Sequence, residues 1–297
     1  MFLAYASRYG RTLIDRALYL PESWASDRVR RAEAGIPDQV TFATKPELGL
    51  VMLARAHAAG LPFAWVTADS VYGADHRLRR WLQEHRLGYV LAVTKAQRLG
   101  FGRVEDLVAE LPAAGWHRLS AGDGAKGPRF YDWAYLPYGS DAAPGWEKGL
   151  LIRRSIAEPD KLAFYLTHAA DGTALADLVQ VAGTRWAIEA CFETAKGEVG
   201  LDQYEVRSWT GWHRHVTLAM LAHAYLAVLR KVAVGGRAHA RPGGRAAPAH
   251  RPGNPPPALA ARLAASARHR SGARLVTLAT TPPTARSPMP LAPTNLQ

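Results

Sequence analysis

The 297-residue chain is 48% apolar and 21% charged, enough to bury a sizeable core in one large or two ordinary domains. No run reaches the roughly 18 consecutive apolar residues of a membrane span, and the amino terminus has neither the charged lead-in nor the cleavage pattern of a secretory signal. The single cysteine, Cys191, excludes an intramolecular disulfide and a multi-cysteine zinc site, so the expected address is the cytoplasm with no membrane partner. The net charge of +12 is unevenly spread: residues 206–297 hold 13 Lys or Arg and no Asp or Glu, leaving 24 basic against 25 acidic residues before them. The basicity therefore belongs to the end of the chain, where it suits a polyanionic partner.

FLAYAS and TLIDRALYLP, joined by the polar RYGR, have the pattern of an antiparallel hairpin. PESWASDRVRRAEAG should be helical with Ser26 or Asp27 as cap, and KPELGLVMLARAHAAG is an amphipathic helix with Pro46 in its first turn and Gly60 as its stop. FAWVTA (63–68) suits a short buried strand ending at Asp69. ADHRLRRWLQEHR then forms a helix stopped at Gly88, and YVLAVT a second strand, a strand, helix, strand order that requires some parallel pairing. Residues 97–180 break into short segments punctuated by Gly, Pro and Asp and read as a β-rich insertion. Helix returns around RWAIEACFETAKGEV and again at 211–231, and from about 233 the Ala, Arg, Pro and Gly composition without periodicity predicts disorder.

Within RWAIEACFETAK, helical spacing gathers Arg185, Glu189, Glu193 and Lys196 into an arc of roughly 80° beside the apolar stripe of Ile188, Cys191, Phe192 and Ala195. A solvated face with ion pairs from Arg185 to Glu189 and from Glu193 to Lys196 accounts for that row by itself. Asp69 admits two readings as well: a ligand-binding acid at the carboxyl end of a parallel strand, or a helix cap. His213, His215 and His223 lack the spacing and partners of a metal set and suit helix-surface or core positions, and Trp209 and Trp212 suit packing.

Taken together, WVTADSVYGADHRLRRWLQEHRLGYVLAVTK (65–95) and RWAIEACFETAKGEVGLDQYEVRSWTGWHRH (185–215) resemble the second and third acidic blocks of DDE-superfamily insertion-sequence transposases of the Tyr-Arg-Glu-Lys signature group. Arg185, Glu189 and Lys196 keep the signature spacing, and Ala182 stands at its Tyr position. The resemblance implies an α/β, RNase H-like mixed sheet with a β-rich insertion between the second Asp and the Glu. It divides the chain into a first core part at 1–96, the insertion at 97–180, carboxy-terminal core helices at 181–232 and a tail at 233–297. It further implies Asp69 and Glu189 as catalytic, Mg²⁺-ligating carboxylates, Arg185 and Lys196 as contacts to DNA phosphate, DNA as partner, a possible homodimer, and location at the nucleoid. Glu193 matches no signature position.

The family's first Asp belongs on a first strand preceding the FLAYAS hairpin, and no such strand is present in these 297 residues. The expectation is thus a truncated transposase core with an exposed gap at the sheet centre, an incomplete carboxylate set, and a tail of the kind a GC-rich frame gives when read out of frame. Such a chain would be inactive in strand cleavage and transfer on its own, or would act as a non-catalytic DNA-binding regulator of intact transposase.

Overall fold

The computed structural model describes residues 1–7, 9–100, 102–124, 127–139, 141–205, 207–239 and 275–279. The hairpin forms as β1 (Phe2–Ser7) and β2 (Gly10–Arg16), the second arm ending short of the expected Pro21. The next segment splits into two short helices, α1 (Glu22–Ala25) and α2 (Arg28–Glu33), because the Asp27 carboxylate caps the second by accepting from the Arg30 N–H at 3.0 Å. Helix α3 (Lys45–Ala58) opens on a capping box in which Thr44 and Glu47 exchange hydrogen bonds, with Pro46 in the first turn and Gly60 at φ 68° past the end.

Strand β3 (Trp65–Ala68) leads into a one-turn helix α4 (Ser70–Gly73), then α5 (His76–Glu84) and β4 (Gly88–Val93), and β3 and β4 pair in parallel as their order required. The stop of α5 differs from expectation. Arg86 takes the left-handed conformation at φ 51°, and the Leu87 N–H reaches back to the Leu82 carbonyl at 2.9 Å, closing the helix two residues before Gly88. Gly88 is there for packing, since a Cβ would lie 2.7 Å from the Trp65 ring.

The β-rich stretch supplies a small ribbon, β5 (Arg98–Leu99) with β6 (Gly102–Arg103), and four long strands: β7 (His117–Gly124), β8 (Gly127–Pro137), β9 (Trp146–Arg154) and β10 (Leu162–Ala170). Those four extend the main sheet, because β10 pairs directly with β4. Helices α6 (Leu175–Gly183), α7 (Trp186–Val199) and α8 (Trp209–His239) follow.

The tail contains a strand, which overturns the expectation of disorder for that part of it. Leu275–Ala279 forms β11, lying antiparallel to β1 and parallel to β3 in a nine-stranded order β2-β1-β11-β3-β4-β10-β9-β8-β7. The expected gap at the sheet centre is therefore closed by residues 275–279; of the other expected tail residues, 233–239 continue helix α8, which also departs from the expected disorder, and 240–274 and 280–297 lie outside the described part.

Helices cover both faces. Val66, Ala68, Val276 and Leu278 point toward Met52, Leu53, Leu78 and Leu82 of α3 and α5. On the other face Phe2, Ala4 and Leu13 meet Ile188, Cys191 and Phe192 of α7 and Val216, Ala219 and Met220 of α8. Each large side chain so buried contributes roughly 1.5–3 kcal/mol. Part of α8, Trp209–Ala233, is long and apolar enough to cross a membrane, although its inner side is spent on β2 and α7.

Candidate active site and nucleic-acid surface

Asp69 sits where the β3 run ends. Its Oδ1 accepts from the Val71 N–H at 2.9 Å, so the capping role is realised, while Oδ2 takes no hydrogen bond among the described residues. The turn behind it is tightly held: a Cβ on Gly73 would lie 1.9 Å from the Ala92 carbonyl oxygen, so α4 presses directly onto β4. Tyr72 is fully buried with its hydroxyl unpaired, and burial, reinforced by the Asp69 charge, pushes its phenol well above the ordinary value.

Side chains alternate along β3, so Val66 and Ala68 face α3 and α5 whereas Trp65 and Thr67 face α6 and α7. Asp69 continues the second set. The neighbour on β11 follows from register: Leu278 lies beside Ala68, and one residue on sets Ala279 beside Asp69. Ala279 in turn packs against the cluster containing Ile188 and Phe192 of α7.

Glu189, one residue from Ile188, is paired with Arg185 at 2.8 Å, as the spacing predicts. No ion pair joins Glu193 to Lys196 among the described residues, so only half of the expected row forms; Glu193 is exposed and Lys196 half-buried in the last turn. Ala182, at the expected Tyr position, is buried.

The insertion brings one cation to this helix that sequence reasoning passed over, and a second to the tyrosines of the sheet. Arg129 of β8 lies 5.6 Å over the ring of Trp186, which Arg185 also approaches at 5.8 Å, and Arg153 of β9 stacks 4.6 Å over Tyr131. All three guanidiniums influence buried Tyr165, whose phenol burial pushes up against their pull. Trp186, half exposed, gives this cationic group an open aromatic face. The only hint in the sequence was two arginines on separate strands of a segment read as an insertion.

The histidines are structural. His223 is buried and bonded to Thr12 at 3.2 Å, His215 to the Gly200 carbonyl at 3.0 Å, and His213 rests against Trp209 and Trp212. Those tryptophans also wall an apolar cleft of about 270 Å³ with Trp24 and Tyr204.

Two hard divalent cations bridging a phosphate need several carboxylate oxygens at one point. Asp69 and Glu189 do not meet that demand alone: Glu189 already neutralises Arg185, and the strand seated beside Asp69 offers Thr277 and Ala279. No group of three or more His, Cys, Asp or Glu side chains suited to a metal occurs among the described residues. Among the described residues the donor set falls short of a two-ion site.

No curated protein matches the chain. Residues 1–114 match the family described as DDE superfamily endonuclease, a stretch that includes Asp69 and stops before Arg185, Glu189 and Lys196. Over more than a third of its length, then, the chain is similar to DDE superfamily endonucleases, a transposase-like group acting on DNA with divalent metals, and the mixed α/β sheet is consistent with an RNase H-like fold.

Proposed function

We propose that this protein is a DNA-binding transposase core in which the family's Mg²⁺-dependent strand cleavage and transfer is blocked by an incomplete carboxylate set. The observation behind this reading is the identity of the strand beside Asp69. In a DDE site that neighbour supplies an acid; here it supplies Ala279, and residues 206–297 contain no Asp or Glu in any register. Asp69 and Glu189 remain as the two acids of the site, on an end of β3 and on a helix that cover the same face of the sheet. Arg185 and Lys196 hold DNA phosphate, joined by Arg129, which shares the Trp186 ring with Arg185, and by Arg153, which acts with both on Tyr165; Trp186 stacks on an unpaired base.

Nicking of supercoiled plasmid by the purified chain, with Mg²⁺ or Mn²⁺, tests the reading. Binding without nicking is expected. Metal-dependent nicking that disappears in Asp69→Ala and Glu189→Ala would overturn the block, and absence of DNA binding would overturn the reading altogether.

A homodimer is part of the same proposal, supported by α8. Leu218, Leu221, Tyr225, Val228 and Val232 are all more than half exposed and recur at steps of three and four residues, the spacing of a coiled-coil seam. The flanking Thr217, Ala222 and Ala224 carry no charge that would repel a second copy.

A further inference from the structure

We infer that the slot between β1 and β3 is a binding site for an extended peptide, filled in cis by the chain's own segment 275–279 as a donor strand. The inference is independent of any endonuclease role. Strands β1 and β3 do not touch as sheet neighbours; they are joined to one another only through β11. Two inter-strand spacings of about 4.8 Å separate them, so without β11 both would present a bare edge to an apolar interior.

Five residues of β11 pair with β1 and four with β3, and Leu275, Val276, Thr277 and Leu278 are at most 1% exposed. Such burial satisfies every requirement of a central strand: backbone partners on both sides, Val276 and Leu278 into the α3 and α5 face, Leu275 and Thr277 into the other.

The sequence of the tail selects this segment. Around it lie runs of Pro, Gly, Arg and Ala, whereas LVTLA has no Pro, Gly or charge and is built of residues that fit a pleated, buried surface. The 35 residues between His239 and Leu275 can extend up to about 3.3 Å each, more than enough to bring the strand back to the middle of the sheet.

Thr67 and Thr277 give the test. Their hydroxyl oxygens are 3.0 Å apart in adjacent parallel strands, so Thr67→Cys with Thr277→Cys, in a Cys191→Ala background, should form a disulfide within one chain when oxidant is added. Peptide mapping on non-reducing monomer is expected to recover the 67–277 link; a link between two chains, or none in folded protein, overturns the cis assignment. Because two buried substitutions can impair folding, hydrogen exchange on the unaltered protein provides the second measurement. Amides of 276–279 should be slowed by about 10³ or more, in step with β3, as for strands inside a folded domain. Exchange of 276–279 at the rate of free peptide while β3 stays protected would also overturn it. Loss of DNA binding has no bearing on either result.

Discussion

Thr67 and Thr277 stand 210 residues apart in sequence and share a hydrogen bond in the middle of the sheet, both fully buried. Two hydroxyls that satisfy each other inside an apolar layer cost little; one left alone costs its full desolvation. Thr277→Val should therefore lower stability by about 1–3 kcal/mol, Thr67→Val by a similar amount, and the double variant by much less than their sum. Urea unfolding of the four proteins measures the cycle. Simple additivity would mean the two strands are not neighbours in solution.

Ala279→Asp should create what the site lacks. It sets a second carboxylate beside Asp69 on the face that α7 covers, and the expected result is Mn²⁺ affinity at least about tenfold above that of the unaltered chain, cancelled by adding Asp69→Ala. Calorimetric titration distinguishes this from unspecific binding, which would survive Asp69→Ala.

The cationic surface predicts a salt signature. Removing Arg129, Arg153 or Arg185 one at a time should weaken binding to single-stranded DNA and flatten the salt slope by about 0.7 for each phosphate no longer neutralised, while Trp186→Ala should cost about 1–3 kcal/mol with the slope unchanged. Fluorescence anisotropy over a salt series separates the two effects. Equal slopes for all four variants would place the DNA elsewhere.

Acid should destabilise the fold early. His168 is buried between the rings of Tyr89 and Trp146, its Nδ1 3.2 Å from the Leu87 carbonyl, and burial holds its pKa below the ordinary 6.5. His213 and His223 are lowered for the same reason. The folded state thus prefers neutral rings, and the unfolded chain takes up protons first. Stability is full above about pH 6.5 and falls as pH drops below it. Urea midpoints at about pH 7.5, 6.5 and 5.5 should decline only over the last interval, and His168→Gln should shallow that decline; a flat profile in the unaltered protein would contradict the buried neutral assignment.

The exposed seam of α8 predicts a dimer that a charge destroys. Leu221→Glu with Val228→Glu should convert it to monomer in sedimentation while the monomer stays folded by circular dichroism, since neither side chain packs in the core. A monomer at all concentrations before substitution would remove the dimer from the proposal.

The sequence by itself determined what is local or compositional. Periodicity and caps located the hairpin, α3, the parallel pair β3 and β4, and α7 with its Arg185 to Glu189 pair, because helix and strand repeats and i,i+4 neighbours are fixed by spacing along the chain. Composition alone also fixed the absence of any acid after Glu205, which limits the site in every register. Only the tertiary structure decided which strand fills the sheet centre and which cations join Arg185. Five residues without a charge carry no local sign that they will pair with segments more than 200 residues away, and Arg129 reaches Trp186, and Arg153 the surroundings of Tyr165, only once β8 and β9 take their places in the sheet. Strand pairing joins distant segments, and backbone hydrogen bonding and burial, rather than local propensity, choose its partners.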